Sequence, residues 1–402
     1  ASAIIEVRNT RTALGELAAR FWKEPAQSLT MIGVTGTNGK TTVTHLAKGI
    51  LEASSQAVGL IGTIGCYVGS EHFPSSHTTP SSLVLQSMLN KMVNAGADSA
   101  VLEVSSHALA MDRVKGCEFD IVVFTNLTQD HLDFHHDMEA YFKAKSRLFQ
   151  EYVAPKNKQS PKQAIVNIDD EWGKQIFQQC SVPVWSYAIR NQADFCATDL
   201  SLSIDETTFT ALTPNGSMAI RSSLVGEHNV YNLLAAIGVG VACGLSSEVI
   251  QKGIQNFSYV PGRFELIHEG QEFTVVVDYA HTEDALARLL AAADVFKKGR
   301  ILTVFGCGGD RDRGKRSKMG QVAAKNSDLV FVTSDNPRTE DPLAIIQDIE
   351  LGMVDLPESK RKTYCLIPDR REAIYAAIQE AKPQDMVSVS YTHLTLPTNR
   401  EV

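Results

Sequence analysis

The chain has 402 residues, 44% of them hydrophobic and 21% charged, with a formal net charge of −8. That length admits two domains and part of a third, and the acidic balance argues against a general nucleic-acid or membrane-surface role while leaving room for a local basic pocket. No apolar run approaches the roughly 20 residues of a membrane span. The opening Ala-Ser-Ala-Ile-Ile-Glu-Val lacks a signal-peptide layout, and the missing initiator Met suggests that the native start lies upstream. Seven scattered cysteines without a Cys-x-x-Cys pair predict reduced thiols in a cytoplasmic protein.

Along the chain, short β-rich runs alternate with helical patterns, as in a parallel α/β sheet. Strands are predicted at Leu29–Thr35, Ala100–Val104, Asp120–Thr125 and Ala164–Asn167, with helices at Thr41–Ala53 and Ser82–Ala95. Asp199–Arg221 reads as antiparallel, with Asn215-Gly216 as its hairpin turn, and Asn229–Cys243 as a buried helix. A boundary is expected near residues 256–262, around Tyr259-Val260-Pro261-Gly262. A second series follows, with strands at Phe273–Val277, Arg300–Phe305, Asp328–Thr333 and Met386–Val389. Its helices are predicted near Glu283–Val295, Lys315–Lys325, Pro342–Met353 and Arg370–Ala381.

Between the first strand and helix lies Gly33-Val34-Thr35-Gly36-Thr37-Asn38-Gly39-Lys40-Thr41-Thr42. Glycines there let backbone N–H groups approach phosphates at a helix N-terminus. Lys40 would reach the β- and γ-phosphates of ATP, and the Thr41 hydroxyl would bind Mg²⁺. The motif is Gly-x-x-Gly-Lys-Thr, because Val34 stands where a fuller phosphate loop has its first glycine. Two further strand ends carry Glu103, in Glu-Val-Ser-Ser-His, and His131, in Asn-Leu-Thr-Gln-Asp-His-Leu-Asp. Ligands gather at the carboxyl ends of parallel strands, so both are candidate metal ligands beside Thr41. Taken alone, either reads as a surface or capping group; their common position with the loop favours a site.

Together these motifs resemble the Mur ligase family, over about residues 15–389. The resemblance implies a central P-loop-type parallel-sheet ATPase domain (29–258) followed by a Rossmann-like C-terminal α/β domain (259–389). It further implies an ATP- and Mg²⁺-dependent amide ligase of peptidoglycan synthesis, working through an acyl phosphate. The substrates would be a UDP-sugar dipeptide and meso-diaminopimelate, handled by a cytoplasmic monomer with no nucleic acid and no membrane insertion. By the same resemblance Lys145, in Tyr-Phe-Lys-Ala-Lys-Ser-Arg-Leu-Phe, would be carbamylated and help hold a second Mg²⁺; from the residues alone that segment reads as a basic helical face. Thr78, Thr79, Ser105 and Arg113 would hold the UDP-sugar peptide, with Met111 where some relatives have glutamine. Asn229 and Asn232 would face the adenine, although Asn229 reads equally as a helix cap. Arg263 and Asp278 would close over ATP, with His281 near the phosphates. Arg311, Asp335, Asn336, Pro337 and Arg338 would bind diaminopimelate, the Arg338 guanidinium meeting a carboxylate that lysine lacks.

The chain also departs from the family. Residues 1–28 would be a remnant of an N-terminal UDP-binding domain, which predicts weak uridine recognition. Residues 390–402 read as a non-native tail where relatives carry Gly-Lys-Gly-His-Glu. Two other readings follow: a nucleotide-binding fragment without turnover, and a ligase like folylpolyglutamate synthase.

Overall fold

The protein is described from a computed structural model, which covers residues 6–69, 71–75, 77–153, 162–204, 206–257, 259–260, 262–356 and 363–391. Pro261 of the expected boundary and most of the expected tail lie outside the described residues.

Helix α1 (Thr10–Phe21) is capped by Asn9, whose Oδ1 accepts from the Arg11 and Thr12 N–H groups. Then follow β1 (Thr30–Thr35), α2 (Lys40–Ala53), β2 (Val58–Ile61), β3 (Cys66–Val68), β4 (Glu71–Phe73), α3 (Ser82–Asn94), β5 (Ser99–Glu103), α4 (Ser106–Ala110) and β6 (Ile121–Phe124). The chain continues through α5 (Leu132–His135), α6 (Met138–Arg147), β7 (Gln163–Asn167), α7 (Glu171–Gln179) and β8 (Val184–Ala188). Strands β9 (Phe195–Leu202), β10 (Thr207–Thr213) and β11 (Gly216–Ser222) precede α8 (Glu227–Ala242) and α9 (Ser247–Gln255).

These strands form one mixed sheet of 11, ordered β11-β10-β9-β8-β7-β6-β1-β5-β2-β3-β4. Its centre is parallel, with β1 between β5 and β6. Alternation along the buried strands feeds two cores. Ile32, Val34, Val101, Val123 and Ile165 face one side with α2, α8 and α9, and Met31, Ala100, Leu102, Val122 and Phe124 face the other. The antiparallel stretch predicted at 199–221 is continuous with this sheet, because β9 pairs in parallel with β8. Its turn differs from expectation. Thr213 pairs with Gly216, so Pro214 and Asn215 form the corner and Gly216 follows at φ +117°. Proline's fixed φ suits the first corner position, and glycine tolerates the positive φ after it.

The second unit contains β12 (Glu265–Ile267), β13 (Thr274–Asp278), α10 (Glu283–Phe296), β14 (Ile301–Phe305), α11 (Gly314–Asn326), β15 (Leu329–Val332), α12 (Pro342–Val354), β16 (Thr363–Leu366), α13 (Arg370–Glu380) and β17 (Met386–Ser390). Its six strands run β12-β13-β17-β14-β15-β16, all parallel except the β12 edge. No helix among the described residues is long and apolar enough to cross a membrane. The seven cysteines are separate thiols.

Candidate active site

The phosphate-loop segment leaves β1 at Gly36 and enters α2 at Lys40, and its shape depends on two glycines. Gly36 has φ +148°, and a Cβ there would lie 1.9 Å from the Thr125 hydroxyl oxygen. Gly39 has φ +85°, and its Cβ would lie 2.4 Å from Asn232 Oδ1. Residues leaving β6 bind this loop in place: Thr125 Oγ1 donates to the Asn38 carbonyl at 2.6 Å, and Asn38 N–H donates to Asn126 Oδ1 at 2.9 Å. Lys40 Nζ folds back on the carbonyls of Gly36 (2.9 Å) and Thr37 (2.7 Å).

Thr41 and Glu103 meet as expected, Thr41 Oγ1 donating to Glu103 Oε2 at 3.1 Å. Glu103 is fully buried at the end of β5, where the Thr63 N–H (2.8 Å) and hydroxyl (3.0 Å) orient it. A hydroxyl and a carboxylate oxygen side by side are the hard donors that Mg²⁺ prefers, so this pair fits the ion. The other expected metal positions have different partners. His131 has φ +55° and holds Nε2 3.3 Å from Asp130 Oδ2. Lys145 Nζ donates to the Gly36 carbonyl at 2.7 Å. Among the described residues no three His, Cys, Asp or Glu side chains gather closely enough to hold an ion.

Lys145 corrects the reading of its helix as simply a basic face. Lys143 is exposed beside Glu139, whereas Lys145 turns inward and is 1% exposed, its ammonium 4.7 Å from the Tyr141 ring centre. Burial, and then the nearby Lys40 charge, push its pKa well below the usual lysine value. Two ammonium groups thus share one carbonyl oxygen, and an ammonium at Lys145 does not suit a cation site. A neutral amine there is the form that captures carbon dioxide, and the resulting carbamate would be an anion. Burial also lowers Lys40, opposed by Glu103 and Asp130. His131 falls to about 3 through burial, against the pull of Asp130. For Asp130 burial acts upward, but His131, His281 and Lys315 outweigh it and leave the carboxyl at about 2.

Around the end of β5, Thr79 is buried and its hydroxyl donates to the Glu103 carbonyl (2.8 Å) and accepts from the Ser105 N–H (3.0 Å). Arg113 donates to the Thr79 carbonyl at 3.0 Å and reaches Met111 Sδ at 3.5 Å, and Thr78 Oγ1 lies 3.0 Å from Thr63 Oγ1. The four predicted peptide-binding residues therefore stand together beside Glu103.

A cavity of about 560 Å³ opens between the loop, the start of α8 and helix α10. Asn229, Asn232, Arg263 and Asp278 all line it. Asn229 is not the helix cap. Its amide donates to the Val225 carbonyl at 2.8 Å, and Asn232 donates to Asn229 Oδ1 at 2.9 Å. From the second unit, Arg263 donates to Thr41 Oγ1 at 3.2 Å and lies 4.5 Å from the Tyr279 ring centre. Asp278 accepts from the Phe264 N–H at 2.7 Å, and burial lifts its pKa to about 6 against the opposing Arg263 charge. His281 is 3.9 Å from Asp130 and is lowered to about 4, chiefly by burial.

Two contacts between the two units were not legible in the sequence. Asp284, held within α10 by Arg288 (2.9 Å), accepts from the Asn38 amide (2.8 Å), and Lys318 donates to Gln129 at 2.7 Å. Asp284 follows Thr282, the cap of α10, so its carboxylate reads from sequence as first-turn dipole compensation.

The amino-acid residues lie at the carboxyl edge of the second sheet. Gly309 N–H donates to the Asn336 carbonyl at 2.8 Å, and Arg338 Nη1 donates to the Gly309 carbonyl at 2.6 Å. A Cβ on Gly309 would lie 1.9 Å from the Pro337 carbonyl, so only glycine allows the loops to touch. Arg311 is exposed and donates to the Asp310 carbonyl at 3.0 Å. A Cβ on Gly308 would have Arg338 Nη1 at 2.9 Å and Arg311 Cγ at 4.0 Å, and the Arg311 charge adds to burial in lowering Arg338.

A parallel sheet with a glycine-bounded lysine loop, a Thr–Glu oxygen pair and a second unit reaching into the cavity defines a nucleotide-using α/β enzyme. Comparison with known proteins agrees. The Mur ligase middle domain matches residues 34–240, and the Mur ligase glutamate ligase domain matches residues 262–390. The UDP-N-acetylmuramoyl-L-alanyl-D-glutamate–2,6-diaminopimelate ligase of Geobacillus thermodenitrificans is 44% identical over 96% of this chain and 78% of its own length. That of Nostoc sp. is 46% identical over 96% and 76%. A solved structure of a ligase of this name is 36% identical with TM-score 0.68, covering 96% of this chain and 78% of that one. Folylpolyglutamate synthase from Mycobacterium tuberculosis has TM-score 0.75 over 95% of this chain and 92% of its own, but at 17% identity that likeness is one of fold alone. The chain belongs to the Mur ligase family and is an ATP-dependent acid–amino-acid ligase.

Proposed function

We propose that this ligase joins meso-diaminopimelate to the D-glutamate γ-carboxylate of UDP-N-acetylmuramoyl-L-alanyl-D-glutamate in peptidoglycan synthesis. The supporting observation is the loop Asp335–Arg338 held against Gly308-Gly309, with Arg311 and Arg338 both flanking Gly308. Two adjacent guanidiniums favour a carboxylate between them, and diaminopimelate has one more carboxylate than lysine. The diaminopimelate ligases that resemble the chain support the same reading.

In this reading ATP lies in the cavity with its phosphates on Gly36–Thr42, and its γ-phosphoryl passes to the γ-carboxylate as ADP leaves. The diaminopimelate amine then attacks the acyl carbon and inorganic phosphate departs. Lys40 steadies the transferring phosphoryl group. Mg²⁺ would be held by Thr41 and Glu103, with His131 and carbamylated Lys145 serving a second ion, and would supply charge neutralisation between the anions. Ser105 and Arg113, with Thr78 and Thr79, orient the peptide. Arg263, Asp278 and His281 close the second unit over the nucleotide and exclude water from the acyl phosphate. Asn229 and Asn232 border the adenine. Residues 29–258 and 259–389 form the two working units, in a cytoplasmic monomer, and Ser390, the last residue of β17, belongs with the second.

The test is phosphate release from ATP with the UDP-sugar dipeptide and a panel of amines. Release that requires diaminopimelate, with lysine at least about tenfold poorer in kcat/KM, supports the reading. Equal release with lysine overturns it.

A further inference from the structure

The carboxyl edge of the second sheet carries two opposite charges with sealed, unpartnered atoms. Asp335 is 9% exposed, and neither carboxylate oxygen has a hydrogen-bond partner. It leaves β15 pressed against the exit of β14, where a Cβ on Gly306 would lie 2.3 Å from the Thr333 carbonyl and 3.2 Å from Asp335 Cβ. Across the same sheet edge, Arg370 opens α13. Its Nη2 donates to the Ser390 carbonyl at 2.7 Å, while Nε and Nη1 are sealed from solvent with no partner. The turn that delivers Arg370 is tied to the Asp335 loop, because Ser334 N–H (3.2 Å) and Thr333 Oγ1 (3.3 Å) both donate to the Pro368 carbonyl. The two charges feel each other, yet no direct ion pair joins them.

Leaving a buried carboxylate and two sealed guanidinium nitrogens unsatisfied is costly, and a group with a cation and an anion on adjacent atoms would satisfy both. An α-amino acid centre is such a group. We propose that Arg370 is a further substrate-binding residue, which receives one carboxylate of the amino-acid substrate while Asp335 receives the neighbouring ammonium. This rests on the diaminopimelate reading and deepens it. The site then holds two separate carboxylate receivers, Arg311 with Arg338 and Arg370, for a substrate with two carboxylates.

The experiment is calorimetric titration of the full chain with meso-diaminopimelate, using wild type, Arg370→Gln and Arg370→Lys, alongside titration with a non-hydrolysable ATP analogue and thermal melting. The expected result is about 30-fold weaker diaminopimelate binding in Arg370→Gln, partly restored in Arg370→Lys, with ATP-analogue affinity within about twofold of wild type. Amidation of the carboxylate that Arg370 receives should weaken wild-type binding and add almost nothing in Arg370→Gln. Arg370→Gln binding diaminopimelate within about threefold of wild type overturns the proposal and leaves the ligase assignment standing. A fall in melting temperature with unchanged diaminopimelate affinity also overturns it, because Arg370 would then only brace the loops. Wild type that binds lysine and not diaminopimelate removes the reading beneath it, and the proposal falls with that reading.

Discussion

Lys145 carries the most chemistry per atom in the first unit. A lysine buried to 1% exposure, sharing the Gly36 carbonyl with Lys40, is under pressure to lose its proton. Exposure to ¹³C-bicarbonate should therefore produce a carbamate resonance that Lys145→Ala lacks, and that variant should lose on the order of a thousandfold in turnover. An unchanged spectrum in the variant would assign the modification elsewhere. The histidines make a second prediction. His281 and His131 titrate at about 4 and 3 when folded, below the ordinary histidine value, mainly because burial disfavours the imidazolium. Between about pH 6.5 and 4 the unfolded chain thus binds protons that the folded chain refuses, so stability falls as pH falls through that window. Each histidine contributes on the order of 1 kcal/mol after allowance for its partial exposure. Urea unfolding at pH 7 and pH 5 measures the slope, and His281→Asn should flatten it.

At the scale of elements, the phosphate loop is where local backbone and function coincide. Gly36→Ala would bring a Cβ to 1.9 Å of the Thr125 hydroxyl oxygen at φ +148°. That substitution should cost about 2–4 kcal/mol and abolish ATP binding, whereas Gly69→Ala, at φ +57° but with open space around it, should cost about 1 kcal/mol and leave binding intact. Denaturant midpoints and nucleotide titrations of the two variants check both statements. The central strands were legible because parallel strands buried on both faces are near-continuous apolar runs ending in chemistry: Thr30–Thr35 before the glycines, Ser99–Glu103 before Ser105, Ile121–Phe124 before Thr125. Short elements were not. Strands β2 to β4 have four, three and three residues, too few for a periodic signal, and β4 is largely exposed. Helix α1 misleads in another way: Leu14, Leu17 and Phe21 recur at i, i+3 and i+7, yet that stripe stays exposed and the face the helix buries carries only Gly15, Ala18 and Ala19.

For the whole molecule, the question is how the second unit meets the first. Arg263 on Thr41, Asp284 on Asn38, Lys318 on Gln129 and His281 beside Asp130 bring side chains from distant sequence onto the loops around the phosphate segment. Spacing in sequence carries no sign of such contacts, which is why Asp284 and Lys318 escaped notice while Arg263 and Asp278 emerged only through the family resemblance. Asp284→Ala should loosen this closure, raising the KM for ATP by about tenfold with little change in unfolding free energy. An unchanged KM would show that Asp284 merely compensates its helix.

The path of one oxygen atom tests the whole account. With ¹⁸O in the γ-carboxylate of the UDP-sugar dipeptide, and with ATP and meso-diaminopimelate present, the released phosphate should carry one labelled oxygen per amide bond formed. Unlabelled phosphate accompanying amide formation would contradict the acyl phosphate on which the arrangement of Lys40, Glu103 and Lys145 has been interpreted.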